Sequence, residues 1–284
     1  MDRVLFGDNQ FFGVNHMSEE KARAQSMRFK TARAMIDVLD IAYECGIKTF
    51  MCTTHDRVEE ICDHFRAHPE KYPGYQFFPC MPYAHKYANA VTDLGMLGAA
   101  KKFAPGGLFG AAFRGGKAMA TGNFLELMKM LVDAEMKMFG DLQTPVIFLQ
   151  NVTVDLLLGL GMQEPLAAFA EHVRSRYGAE PGFITMNLPR LLDMLEAAGI
   201  ENPIVCSNIN KIGFRMCGGI ELYEKTLRER RFRPIAMSIL ASGGIRPKEA
   251  VEYVCGIRQV ESIVFGASSR PHIQQTKELI DSMS

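Results

Sequence analysis

The chain has 284 residues, and 32 Lys plus Arg balance 32 Asp plus Glu, so it carries no global basic field to hold nucleic acid or an anionic membrane surface. Hydrophobic residues make up 48% and charged residues 23%, an ordinary balance for a globular chain with a sizeable core and not for a disordered one. No apolar stretch approaches the roughly 18 to 20 residues of a membrane span, and the opening MDRVLFGDNQFFG lacks the basic and apolar regions of a signal segment, so a cytoplasmic protein is expected.

In chain order, the first apolar run is RVLFG, which reads as a short buried strand. Next, ARAMIDVLDIAYECGIKTFMC places Met35, Val38, Leu39 and Ala42 at helical spacing, stops at Gly46 and continues into a strand from Ile47 to Cys52. The runs YQFFPC, PVIFLQ, GFITMN, PIVCSN, PIAMSIL and ESIVFG follow, each succeeded by a helical pattern. PRLLDMLEAAGIENPIVCSNI repeats the helix, glycine, strand order, with Gly199 as the stop and Ile204 to Ser207 as the strand. Eight such αβ units predict an α/β fold, a single (β/α)8 TIM barrel over residues 1–284. A doubly wound sheet fits less well, because FGDNQFFGVNH after the first strand is not GxGxxG.

One crossover, from Cys80 to Pro145, is too long for a single helix. Its second helical pattern, near Asn123 to Phe139, has an apolar stripe at Phe124, Leu127, Met128 and Leu131 and reads as the outer-ring helix. Pro82 to Thr121 is then an insertion after strand three, on the face where a barrel keeps its active site, and is expected to act as a lid; the alternative is that its glycines only permit tight packing.

Residues just past the strand ends converge on one mouth. They include Asp8, Asn9, Cys52, Thr53, Thr54, His55, Asp56, Cys80, Tyr83, His85, Lys86, Gln150, Asn151 and Asn187. Asn208, Asn210, Lys211, Ser238, Ser242, Ser268, Ser269 and Arg270 complete the set. So polar a group beside apolar strands predicts a hydrogen-bonding pocket for a small molecule.

Two small-residue turns, SILASGGI after strand seven and FGASSRPHI after strand eight, expose backbone N–H groups near helix starts, where anions are favoured. Ser242, Gly243, Gly244, Gly266, Ser268, Ser269 and Arg270 are therefore the expected phosphate ligands, with Arg270 adding a forked, charged donor. The alternative is that Ser268 and Ser269 only cap the last helix.

The stretches ITMN, IAMSILASGGI and IVFGASSRPHIQQTKELI resemble the aldo-keto reductases, and AYECGIKTFMCTTHDRVEEI shares their helix, Gly-Ile, strand layout. The resemblance implies a barrel that binds NADPH without a Rossmann domain, the closing segment holding the 2′-phosphate and adenosine end and Asn187 the nicotinamide amide. It also implies cofactor contacts at Ser238 and Ser242. The catalytic set departs from the family: Met51 or Cys52 stands where an Asp ends strand two, Cys80 or Met81 where a Lys ends strand three, and the family's Tyr has no matching residue.

The titratable residues delivered by strands two and three, His55, Tyr83, His85 and Lys86, are therefore the acid/base candidates. The expected activity is NADP(H)-linked oxidoreduction of a small carbonyl or alcohol, on a substrate with an anionic or phosphate group. The alternative is a phosphate- or nucleotide-binding barrel without reductase activity, either a binding protein or a lyase or isomerase acting on a phosphorylated small molecule. Seven cysteines, odd in number and with no CxxC pair, suit reduced thiols. Cys52, His55, Asp56, Cys80, His85 and His16 offer ligand types for zinc or iron, but no dense ligand motif supports them and no metal is expected. Lys211 lies late and among Asn residues for a Schiff-base lysine.

Overall fold

The computed structural model describes residues 1–13, 18–83 and 123–283. Its eight parallel strands close into a barrel in chain order. They are β1 (Val4–Gly7), β2 (Thr49–Thr53), β3 (Gln76–Met81), β4 (Val146–Leu149), β5 (Glu180–Thr185), β6 (Ile204–Asn208), β7 (Arg233–Met237) and β8 (Ser262–Phe265). Each coincides with one apolar run of the sequence. The ring closes where Val4, Leu5 and Phe6 pair with Ile263, Val264 and Phe265.

Around the sheet, the described residues place α1 (Glu19–Arg28), α2 (Ala32–Glu44), α3 (Asp56–Ala67), α4 (Asn123–Met136), α5 (Asn151–Leu160) and α6 (Glu164–Tyr177). The ring continues with α7 (Leu188–Ala197), α8 (Ile220–Glu229), α9 (Pro247–Cys255) and α10 (Arg270–Ser282). The stripe read for α2 holds, since Met35, Val38, Leu39 and Ala42 are all buried. Its stop holds too: Gly46 takes φ 84°, a left-handed turn that a Cβ would oppose.

Strand alternation divides the core in two. One set of side chains, including Leu5, Met51, Phe78, Cys80, Phe148, Ile184, Cys206 and Ile235, fills the barrel interior. The other set, including Phe6, Phe50, Phe77, Leu149, Phe183 and Val205, packs beneath the helices. Met51 and Cys80 are thus interior core residues and bring no charge to the ends of β2 and β3.

The outer-ring reading of α4 holds, with Leu127 and Met128 of the expected stripe buried. Leu131 is half-buried, and the inward positions include Met128, Val132, Glu135 and Met136. A carboxylate on that face changes the site described below. Of the insertion expected from Pro82 to Thr121, only Pro82 and Tyr83 fall among the described residues; the lid expectation, His85 and Lys86 lie outside them.

Candidate functional site

Asp8 follows β1 directly and is only 7% exposed. One of its carboxylate oxygens, Oδ2, accepts both the backbone N–H and the hydroxyl of Thr53, each at 2.7 Å. Thr53 is the last residue of β2, so the bonds tie two neighbouring strand ends together. Burial pushes the Asp8 carboxyl above its ordinary range, because a desolvated charge is costly, and the Thr53 bonds offset only part of that.

The next residue, Thr54, is fully buried and donates its hydroxyl to Glu135 of α4 at 2.5 Å. Glu135 is 2% exposed, and both of its oxygens also lie 3.1 Å from the Tyr83 backbone nitrogen, which donates to them. A single buried carboxylate therefore fixes the end of β2 and the first residues beyond β3. Glu135 was not among the residues singled out from sequence. Its signal was an acidic side chain in register with Met128 and Val132 on the inward face of an amphipathic helix.

His55 is the N-cap of α3, its Nδ1 accepting the Arg57 N–H at 3.1 Å. Thr54, the residue before it, is engaged by Glu135 instead. With Nδ1 accepting, the neutral ring carries its proton on Nε2. The ring stacks on Phe12 at 4.5 Å, with planes 24° apart, and meets the Tyr83 ring at 5.9 Å. The Arg57 guanidinium lies 5.0 Å from the Phe12 ring centre, a cation–π contact. Burial is the main reason the Tyr83 phenol sits above its ordinary range, the Asp8 charge adds to it, and Arg57 opposes it. Such a phenol keeps its proton at neutral pH.

On the opposite wall the polar residues are mostly structural. Asn187 caps α7 through its Oδ1, which accepts the Arg190 N–H at 3.4 Å. Its own N–H donates to the Thr185 hydroxyl, which donates in turn to Asp155. Asn208 and Asn210 shape the loop after β6 through bonds to Arg215 and Phe214. Lys211 pairs with Glu249 at 2.7 Å and is no desolvated Schiff-base amine. Gln150, at the end of β4, differs from these: it is 8% exposed and its Oε1 has no hydrogen-bond partner among the described residues.

The turns after β7 and β8 carry the expected anion ligands. Ser238, Ala241 and Ser242 hold φ values of 55°, 46° and 56°, left-handed backbone that costs non-glycine residues on the order of 1–3 kcal/mol each. Gly243, Gly244 and Gly266 are exposed, and Ser268 is half-buried. Ser269 occupies the N-cap of α10, yet its side chain makes no cap bond. The first-turn N–H groups of Arg270 and His272 therefore receive nothing from that side chain, and Pro271 between them carries no N–H. Arg270 is paired with Glu44 of α2, so part of the charge read from sequence is already answered within the chain. Gln10 donates to the Gly7 carbonyl at 2.8 Å, and its Oε1 is buried without a partner beside Gly266.

No group of three or more His, Cys, Asp or Glu side chains able to hold a metal ion occurs among the described residues. Burial holds the Cys52 and Cys80 thiols well above their ordinary range, while His16 and His85 lie outside those residues.

No protein-family model matches this chain, and no curated protein matches it in sequence. Solved structures do. A protein of Pseudomonas aeruginosa assigned to the aldo-keto reductases superposes with a TM-score of 0.58 at 13% identity, over 99% of this chain and 91% of its own. An aldo-keto reductase from Brucella melitensis gives 0.53 at 10% identity, over 99% and 90%. One from Klebsiella pneumoniae, solved with NADP and acetate, gives 0.54 at 12% identity, over 99% and 86%. The chain is a (β/α)8 barrel similar in fold to these aldo-keto reductases and divergent from them in sequence. At such identities the likeness is one of fold.

Proposed function

We propose that the protein is an NADP(H)-linked oxidoreductase acting on a small carbonyl or alcohol through a non-standard acid/base set. The observation that carries this reading is the convergence of His55 and Tyr83 where β2 and β3 open to the mouth, with Tyr83 held at its backbone by Glu135. The phenol retains its proton and can give it to a carbonyl oxygen, while His55 can donate from Nε2. His85 and Lys86, which follow Tyr83 closely in sequence, remain candidates for the same work.

The residues of the β7 and β8 turns fit a dinucleotide. The first turn of α10, without a side-chain cap from Ser269, suits a phosphate, as do the left-handed turns at Ser238 and Ser242 and the exposed Gly243, Gly244, Gly266 and Ser268. Arg270 would add its charge from the rim. Asn187 retains its amide N–H groups as donors for a carboxamide, and the unpartnered Oε1 of Gln150 is an acceptor. When bound, a reduced nicotinamide would supply the hydride.

One feature favours the second reading, a phosphate- or nucleotide-binding barrel without reductase activity: Met51 and Cys80 are buried apolar side chains where β2 and β3 approach the mouth. That reading covers a binding protein or a lyase or isomerase on a phosphorylated compound.

The test is a titration of the purified protein with NADPH, followed by fluorescence, together with turnover on a panel of small aldehydes, ketones and alcohols. Binding plus turnover that falls in Tyr83→Phe and His55→Ala supports the reductase. Binding without turnover would favour the second reading, and no NADPH binding would reject the cofactor assignment.

A further inference from the structure

Away from the mouth, the C-terminal end of α3 carries two histidines: His64 in its last turn and His68 as its C-cap. A spacing of four places them on one face of the helix. Their rings lie 4.4 Å apart, centre to centre, with planes 33° from parallel. His64 is half-buried and His68 is exposed.

Each ring has one nitrogen engaged and one left over. His64 Nε2 lies 2.9 Å from Tyr72 Oη, and Tyr72 gives its own proton to Asp40 Oδ1 at 2.6 Å. Tyr72 Oη therefore accepts from His64, so Nε2 carries the hydrogen and the lone pair of the neutral ring sits on Nδ1. His68 Nδ1 lies 2.8 Å from the His64 carbonyl, which can only accept, and this puts the His68 lone pair on Nε2. Among the described residues neither His64 Nδ1 nor His68 Nε2 makes a hydrogen bond. A ring whose N–H is anchored to a carbonyl or to a carboxylate-backed group, with its other nitrogen free, is the arrangement that orients a metal-binding histidine.

The anchors are rigid. Tyr72 is 5% exposed, and its ring stacks on Phe65 at 4.0 Å with planes 23° apart. Asp40, on α2, also takes the Lys71 ammonium at 2.7 Å. Burial opposes the Asp40 charge, but the bonds from Lys71 and Tyr72 outweigh it and hold the carboxyl below its ordinary range. Burial, and next the neighbouring His68, keep His64 below its ordinary value of 6.5, so the ring is neutral at pH 7, the form that binds a metal. The positive charges that act on His64 from outside α3, Lys71 and Arg33, are each paired with a carboxylate, Asp40 and Asp37. The negative end of the α3 dipole favours a cation at the same place.

The ring separation fits a shared ion. An imidazole nitrogen binds Zn2+ at about 2.0–2.1 Å, which puts each ring centre roughly 3.2 Å from the ion and two rings meeting it at about 90–110° roughly 4.5–5.2 Å apart. The observed 4.4 Å needs only a slight opening. We propose that His64 and His68 chelate one divalent transition-metal ion of the kind imidazole favours, Zn2+ or Cu2+, through Nδ1 and Nε2 respectively. Among the described residues no third His, Cys, Asp or Glu completes the set, so water fills the remaining positions. The site lies on the helical shell and stands whether or not the protein is a reductase.

The test uses the full-length protein without a histidine tag, stripped with a chelator and given one equivalent of Cu2+. Electron paramagnetic resonance should show one bound ion with splitting from two imidazole nitrogens. His68→Ala, a change at an exposed position, should reduce the splitting to one nitrogen and weaken binding. His64→Ala combined with His68→Ala should abolish it, and His172→Ala, at a histidine engaged by Asp133, should leave it intact. Tyr72→Phe removes the oxygen that holds the His64 tautomer and should weaken binding about tenfold or more, the usual effect of losing an outer partner of a metal ligand. Calorimetry with Zn2+ should give one site per chain in the wild type and none in the double variant, with circular dichroism confirming that each variant folds. No uptake by the wild type, a spectrum with fewer than two imidazole nitrogens, or uptake unchanged in the double variant would overturn the proposal.

Discussion

Glu135 and Tyr83 are joined across the first sector of the barrel: both Glu135 oxygens accept the Tyr83 N–H, each at 3.1 Å, and one of them also takes the Thr54 hydroxyl. A helix on the outside of the barrel thereby sets where the loop after β3 begins. Glu135→Ala should strand the buried Thr54 hydroxyl and the Tyr83 N–H, at about 1–3 kcal/mol for each group left unsatisfied. Glu135→Gln, which keeps one acceptor, should lose less. Urea midpoints of the two variants check the order, and equal midpoints would mean that the carboxylate charge matters more than its geometry.

Asp8 should make the protein's stability fall as pH rises. Burial raises its carboxyl above the ordinary value of 3.8, so the folded state holds the Asp8 proton more tightly than the unfolded chain does. The neutral form therefore favours folding below the ordinary value, and this contribution is lost as pH climbs through the raised one. Asp8→Asn removes the charge while keeping the Thr53 acceptor. It should melt above the wild type at neutral pH, with the gap narrowing on acidification below the ordinary carboxylate range. A gap independent of pH would locate the effect in packing.

The barrel was legible in the sequence because its signals are local: each apolar run and each glycine stop, such as Gly46 after Ala42, is decided by a few adjacent residues. The site was legible in part. His55 and Tyr83 could be nominated from position alone, since a strand end points its next residues at the mouth. Their partners could not, because Glu135 reaches Thr54 and Tyr83 across 81 and 52 residues of chain, and Arg270 finds Glu44 across 226. The cap of α3 shows the same: Thr54 is by itself a good cap, yet the distant Glu135 engages it and His55 caps the helix.

Gly182 in β5 marks the tightest packing inside the barrel. A Cβ built there would overlap the ring of Phe148 on the neighbouring strand, which fills the interior. The ring shares the interior cluster with Phe78, Ile184 and Cys206, all buried. Gly182→Ala should cost roughly 1–3 kcal/mol, the range for overpacking a close-packed core. Gly182→Ala combined with Phe148→Leu should recover part of it. Chemical denaturation of the single and double variants measures both, and an unaffected single variant would show that the interior yields more readily than its packing indicates.

The final prediction concerns the rim. Arg270 and Glu44 form an exposed ion pair, each side chain about half accessible, and such pairs add little to stability. The pair is thus free to exchange partners when a better anion arrives. A 2′-phosphate offers more charge and more acceptor oxygens than Glu44, and the Arg270 fork suits it. Arg270→Ala should weaken NADPH binding while leaving NADH nearly unaffected. Glu44→Gln should act in the opposite direction, because the competing carboxylate is gone, and should tighten NADPH more than NADH. Both differences should shrink at high salt, as expected for an exposed charge. Fluorescence titrations with the two nucleotides at low and high ionic strength give all four comparisons. Equal effects of Arg270→Ala on NADPH and NADH would move the 2′-phosphate away from the β8 turn.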